Sequence, residues 1–225
     1  MAALLEVINV TKRFGMGGVL SFAQNVAVND VSFTIEEKNP EIFTIIGESG
    51  SGKTTLARMI LGLETSSEGE IRFQGQPVLV RGHSKERLAF MHNVQPVFQN
   101  PFEAFNPLKQ VDRYLESTAR TFLNLKKTEE IAAAIDDALQ KVGLSFAEVK
   151  GRFAHELSGG QLQRVSIARA LICNPRLLIA DEPVSMVDAS LRMAIVNLLK
   201  SLRDDFGLGG VPIRLHARRG RNPYA

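Results

Sequence analysis

The sequence predicts an α/β fold in which β-rich flanks enclose a helical insertion. Three observations predict it. An apolar, β-prone run at residues 42–46 leads into Gly47-Glu48-Ser49-Gly50-Ser51-Gly52-Lys53-Thr54 and then a helix-like run at 55–61. A second apolar run, Leu177-Leu178-Ile179-Ala180, ends abruptly in Asp181-Glu182. Between them, residues 110–142 change period from strand-like to helical.

From the N-terminus, residues 5–10 alternate as a strand does, and residues 26–35 form a second β-rich run with Asn29-Asp30 as a turn or bulge. Asn39-Pro40 marks a loop. The strand at 42–46 and the helix from Lys53 follow, with Gly62 as helix stop. Residues 66–69 read as a turn, 70–73 as a short strand, and Gln74-Gly75 as a tight turn. Residues 81–87 are polar and enter a short helix, and 94–98 form a strand whose Pro96 suits an edge or a start. A proline-punctuated loop runs through Pro101 and Pro107. Helices are expected at 110–125 and 128–142, the second with Thr128 as N-cap and Gly143 beyond its end. Loop 151–157, helix 160–171, strand 177–180 and helix 190–202 complete the order.

The 225 residues suit one sizeable domain or a domain with an inserted subdomain. At 44% hydrophobic and 23% charged residues the balance is that of a soluble globular chain. No apolar run approaches the ~20 residues that span a bilayer, and the N-terminus has no basic segment of a signal peptide. The lone cysteine, Cys173, excludes an internal disulfide and reads as a core filler. The net charge of +3 depends on Arg214, Arg218, Arg219 and Arg221; without these four it is −1. The body is therefore not polybasic, and no nucleic-acid partner is expected.

The 47–54 stretch has the composition of a phosphate cradle. Its glycines let backbone N–H groups turn inward around a phosphate, and the helix behind aims its positive end at the same anion. Lys53 can reach β- and γ-phosphates, and the Thr54 hydroxyl can ligate Mg²⁺. Asp181 at a strand tip suits the same metal, and Glu182 can accept a proton from an attacking water. Phe14, at the end of the first strand, is an aromatic that could stack on adenine or fill the core. Leu157-Ser158-Gly159-Gly160-Gln161, opening an amphipathic helix, is a second anion site. One γ-phosphate does not need two such sites in one chain, so the second would complete the pocket of another chain. A guanine-reading N-K-x-D motif is absent.

Residue for residue, 157–161 resembles the signature of ATP-binding-cassette (ABC) ATPases, and the resemblance covers residues 4 to about 206. It implies a phosphate-loop NTPase with a mostly parallel core sheet, an N-terminal antiparallel β subdomain and a helical subdomain at about 100–157, the domain spanning 1–213. It implies nucleotide contacts from Phe14, Gly47, Glu48, Ser49, Gly50, Ser51, Gly52, Lys53, Thr54 and Thr55. Gln99 would contact water or metal and sense the nucleotide, Glu182 would be the base, and Asp188 the acid of a dimer-facing loop at 185–188. Mg²⁺ would be held by Thr54, Gln99 and Asp181. Residues 97–107, with His155-Glu156, resemble the oligopeptide/dipeptide permease ATPases. That implies an ATP-driven importer of peptides or related solutes, at the cytoplasmic face of the cell membrane. Its partners would be a second ATPase chain, identical or paralogous, two transmembrane permease subunits and, indirectly, an extracytoplasmic solute-binding protein. A hydrolysis-impaired cassette and a non-transport ABC ATPase are the alternatives.

The family pattern departs after Phe206. The resemblance implies a strand ending in His-Asp, yet Pro212 and Arg214 spoil a buried strand and no acid follows His216. Two explanations stand. The basic tail at 214–225 is a frame-shifted or truncated end, which the abrupt composition favours, or it is genuine with His216 a degenerate catalytic histidine.

Overall fold

The computed structural model describes residues 2–15, 24–38, 42–48, 50–78, 85–98, 100–181 and 189–206. β1 (Ala3–Gly15) and β2 (Gln24–Glu36) form a long antiparallel pair, β3 (Glu68–Phe73) takes the other edge of β1, and β4 (Gln76–Pro77) closes the order β2-β1-β3-β4. The expected alternation places Leu5, Val7 and Val10 in the core at 2% exposure or less. The bulge expected near Asn29-Asp30 is present. Asp30 has φ 49, its N–H donates to Thr11 Oγ1 at 3.0 Å, and the β1–β2 register slips there, between Val10↔Val31 and Lys12↔Val28. The tight turn at Gln74-Gly75 is also present, with both residues at positive φ.

β5 (Val94–Val97) and β6 (Leu177–Ala180) pair in parallel, from Val94↔Leu177 to Val97↔Ala180. Among the described residues these two strands are the whole of the parallel core sheet. All four β6 residues are buried, as a strand covered on both faces requires. Leu177 and Ile179 face one core with Leu5, Ile35, Leu56 and Ile60; Leu178 and Ala180 face the other with Leu115, Ile135, Leu162 and Ile167. β6 is thus the wall between the two cores, and Asp181 stands at its tip.

The strand expected at 42–46 is not formed. Only Ile46 carries an isolated bridge, and its side chain is 68% exposed. The segment keeps the strand's alternation: Phe43 stacks on Phe33 at 4.8 Å and Ile45 is half-buried, while Thr44 and Ile46 face outward. β-propensity supplies the extended conformation; a strand also needs a ladder partner for its N–H and C=O groups. The strand expected after Phe206 lies outside the described residues.

α1 (Lys53–Ile60) ends where expected: Gly62 has φ 64, and Leu63 N–H donates to Arg58 O at 2.8 Å. α2 (Lys85–Asn93) precedes β5. A 3₁₀ turn at Pro101–Ala104 then leads to α3 (Val111–Phe122), α4 (Thr128–Gln140) and α5 (Phe146–Val149), followed by a 3₁₀ turn at Ala154–Glu156. Thr128 is the first helical residue of α4 rather than its N-cap, which is Lys127. No side chain caps this end; Glu129 and Glu130 occupy the first turn, where negative charge suits the helix dipole, and Lys127 pairs with Glu130 at 3.2 Å. Gly143 closes the helix as expected, with φ 71.

α6 (Gly159–Leu171) is buried nearly all round, with Leu162, Val165 and Ile167 at 0% exposure. Each such side chain contributes about 1.5–3 kcal/mol by leaving water. α7 (Ala189–Phe206) ends the described chain, longer than expected and packed through Ile195, Leu199 and Leu202. Among the described residues no helix is long and apolar enough to cross a membrane.

Candidate functional site

The 47–54 loop is shaped by two left-handed glycines. Gly50 has φ 81, and Gly52, the N-cap of α1, has φ 85 and ψ 4. A β-carbon on Gly52 would lie 1.8 Å from the carbonyl oxygen of Ala27, so the loop rests directly on the β2 backbone. One on Gly47 would meet Ser51 Oγ at 2.5 Å. The loop closes so tightly only because these positions lack side chains.

Behind the loop, no side chain caps α1 and no acid occupies its first turn. Its positive pole is left for an external anion. Lys53 is 7% exposed, and its ammonium donates to Gly47 O at 2.9 Å, Glu48 O at 2.6 Å and Ser51 Oγ at 3.3 Å. The charge is therefore held across the loop. A depression of about 640 Å³ beside it is lined by Gly47, Gly50, Ser51, Gly52 and Lys53 together with residues of β2. Thr54 is exposed and Thr55 half-buried; Ser49 lies outside the described residues.

Phe14 is 40% exposed, so it is not a core residue. Lys12 Nζ stands over its ring, 5.0 Å from the centroid. The same ammonium donates to Glu64 Oε1 and Thr65 O, both at 2.8 Å. The hydrogen bond from Lys12 holds the Glu64 carboxyl below the usual carboxylate range. Reading of the sequence overlooked Lys12. The signal was its two-residue spacing from Phe14, which puts both on one side of a strand.

The acid predicted at the β6 tip is placed beside β5. Asp181 N–H donates to Val97 O at 3.1 Å, extending the parallel ladder by one step. Gln99 follows Val97 by two residues but lies outside the described set, as do Glu182, Asp188 and the rest of 185–188, His216 and the 214–225 tail. Among the described residues no cluster of three or more His, Cys, Asp and Glu is arranged to hold a metal. The predicted donors are instead a hydroxyl, a carboxylate and an amide oxygen, a hard all-oxygen set that fits Mg²⁺.

At the start of α6, Ser158 and Gln161 form a reciprocal capping box. Ser158 Oγ accepts from Gln161 N–H at 3.2 Å, and Gln161 Oε1 accepts from Ser158 N–H at 3.0 Å. The serine keeps its own proton to donate. Ser158 and Gly159 are exposed, while Leu157 and Gly160 are buried and anchor the turn. None of residues 157–161 lines the depression at Lys53.

Cys173 is fully buried, and burial pushes its thiol up to about 12. It is a core residue, as its apolar neighbours led us to expect.

A family model described as "ABC transporter" matches residues 28–185. The nickel import ATP-binding protein NikE of Shigella dysenteriae serotype 1 is 42% identical over 205 residues, covering 91% of this chain and 75% of that protein. The oligopeptide transport ATP-binding protein AppF of Bacillus subtilis is 40% identical over 211 residues, covering 91% of this chain and 62% of that one. Among solved structures, a dimeric post-hydrolysis state of the ATP-binding cassette MJ0796 bound to ADP and Pi superposes with a TM-score of 0.80 at 28% identity, covering 95% of this chain and 88% of that one. The cbiO1 protein of Clostridium perfringens, part of an ABC transporter complex, gives a TM-score of 0.75 at 26% identity, covering 97% and 80%.

Proposed function

This chain belongs to the ABC transporter family, and on that premise we propose that it is the ATP-hydrolysing subunit of a binding-protein-dependent importer of peptides or related solutes. It is an ATP-binding cassette and an ATPase. The observation that carries the site assignment is the Lys53 ammonium, held across the 47–54 loop at the uncapped N-terminus of α1.

In this reading the loop N–H groups and Lys53 hold the β- and γ-phosphates of ATP, and Phe14 stacks on the base. Thr54, Asp181 and Gln99 would hold Mg²⁺, which supplies charge neutralisation for the phosphates. Glu182 takes a proton from a water in line with the γ-phosphorus. The water oxygen bonds to phosphorus as the bond to the ADP oxygen breaks, giving ADP and phosphate. Ser158 donates a hydrogen bond from its free hydroxyl to the γ-phosphate held by the partner ATPase chain. Its exposure, and its absence from the lining of this chain's own depression at Lys53, support a site completed between two chains. The helical residues at about 100–157 would be a subdomain within a 1–213 ATPase domain, and Asp188 would be the acid of a dimer-facing loop.

Closure of the dimer around two ATP molecules, and reopening on hydrolysis, would drive two permease subunits at the cytoplasmic membrane face through two conformations. The relatives' names, one for nickel and one for oligopeptides, bracket the cargo class. The test is phosphate release by the full chain together with its oligomeric state in ATP. Glu182→Gln keeps the shape of the base and removes its function, so it should accumulate an ATP-bound dimer with no phosphate release. A chain that ATP does not stabilise, and that releases no phosphate alone or with its membrane subunits and second ATPase chain co-expressed, would sink this reading. Uptake of labelled peptide against labelled nickel, with the membrane subunits co-expressed, separates the two cargoes.

A further inference from the structure

Phe14 is not a free-standing side chain at the end of β1. Lys12 Nζ lies 5.0 Å from the ring centroid, over one face. A cation so placed is drawn to the ring's negative face. The ammonium is itself fixed, donating to Glu64 Oε1 and to Thr65 O at 2.8 Å each, and Lys12 is 8% exposed. Its neighbours reinforce the clasp. Ser67 N–H donates to Thr11 O at 2.8 Å, Arg13 N–H donates to Ser67 Oγ at 3.0 Å, and Arg13 pairs with Glu68 at 2.9 Å.

Residues 64–68 are the segment that leaves α1, the helix whose first residue is Lys53. The strand end bearing Phe14 is therefore tied to the far end of the helix whose near end bears the phosphate lysine. A ligand that reached both would be gripped at two points of one braced frame.

We infer that Lys12 is a positioning residue for nucleotide-base recognition: it covers one face of Phe14, leaves the other for the base, and ties that platform to the segment following α1. This rests on the reading of Phe14 as the base-stacking residue. A stacking ligand must use the ring face that Lys12 does not occupy. With Lys12 in place the ring's orientation is set before the nucleotide arrives, so less freedom is lost on binding.

The readout is the ratio of affinities for ATP and for inorganic tripolyphosphate, measured on the full chain with Mg²⁺ present. Tripolyphosphate has no base, so a change confined to the phosphate loop or to general stability moves both affinities together. Lys12→Met should lower the ratio by about two- to fivefold, the size expected of a cation–π contact. Lys12→Arg, which keeps a cation over the ring, should restore most of it. Phe14→Ala should lower the ratio at least as far, and adding Lys12→Met to it should change nothing more.

A Lys12→Met ratio equal to the native one, with Phe14→Ala lowering it, overturns the role of Lys12 and leaves the base platform intact. A Phe14→Ala ratio equal to the native one removes the platform and the inference with it. Should Lys12→Met fold poorly because Glu64 is left unpaired, Lys12→Met with Glu64→Met removes both charges of the pair and serves in its place.

Discussion

The α-carbon of Gly52 faces the backbone carbonyl of Ala27 so closely that a β-carbon would lie 1.8 Å from its oxygen. The clash is with backbone, which no rotamer change relieves, and Gly52 is also held at φ 85. Gly52→Ala should therefore cost about 2–4 kcal/mol, combining left-handed strain with overpacking. Gly50→Ala meets nothing within 4 Å and carries only the strain of φ 81, about 1–2 kcal/mol. Urea denaturation of the two variants should show this order. Equal losses would mean that the loop does not rest on β2 at Ala27.

Lys53 holds Gly47 O, Glu48 O and Ser51 Oγ with one ammonium. Lys53→Met should leave the fold in place at a cost of about 1–2 kcal/mol for carbonyls that lose a donor. Its effect on ATP should be far larger. ATP raises the melting temperature of the native chain by mass action; the variant should show no such rise, and phosphate release should fall by at least about a hundredfold. Differential scanning fluorimetry with and without Mg-ATP checks the first point. A variant that ATP still stabilises would show that the phosphates bind elsewhere.

These two residues were legible in the sequence because a phosphate loop is local. Its donors come from consecutive residues, and the glycine spacing alone dictates the turn. The helix stops at Gly62 and Gly143 were readable for the same reason. What the sequence hid depends on distant partners. Lys12 gains its place from Glu64, 52 residues away, and no window around Lys12 contains that acid. Residues 42–46 have a strand's composition, but pairing is decided by whether a neighbour lies alongside, and no described strand does. Thr128 shows a third kind of miss: a helix start is set only to within a residue or two by local signals, and Thr128 lies one residue inside it.

Cys173 supplies a prediction about alkaline stability. Burial raises its thiol from the ordinary 9.0 to about 12, with Arg169 opposing the shift. Between those values the unfolded chain has released the proton and the folded chain has kept it. The contribution of the buried neutral thiol is therefore whole below pH 9 and is lost as pH climbs toward about 12. Cys173→Ala should cost about 1 kcal/mol at pH 8 for the packing it removes, then narrow that gap at pH 10. The native thiol should also resist iodoacetamide at pH 8 until urea unfolds the chain. Prompt alkylation of the folded chain would contradict its burial.

Ser158 does two separable things. Its Oγ accepts from Gln161 N–H at 3.2 Å, which caps α6, and its hydroxyl proton stays available to a ligand at the exposed end of that helix. Aspartate caps helices about as well as serine does, but it has no proton to give and would face a phosphate with a negative charge. Ser158→Asp should therefore keep the unfolding free energy within a few tenths of a kcal/mol, while abolishing ATP-dependent dimerisation and reducing phosphate release. Ser158→Ala should do the reverse in stability, losing about 1 kcal/mol with the cap, and should impair dimerisation less because it adds no repulsion. Light scattering in ATP, set beside urea denaturation, reads both roles in the same samples. If Ser158→Asp dimerises normally in ATP, this end of α6 does not meet the γ-phosphate. The capping box would then be its whole purpose.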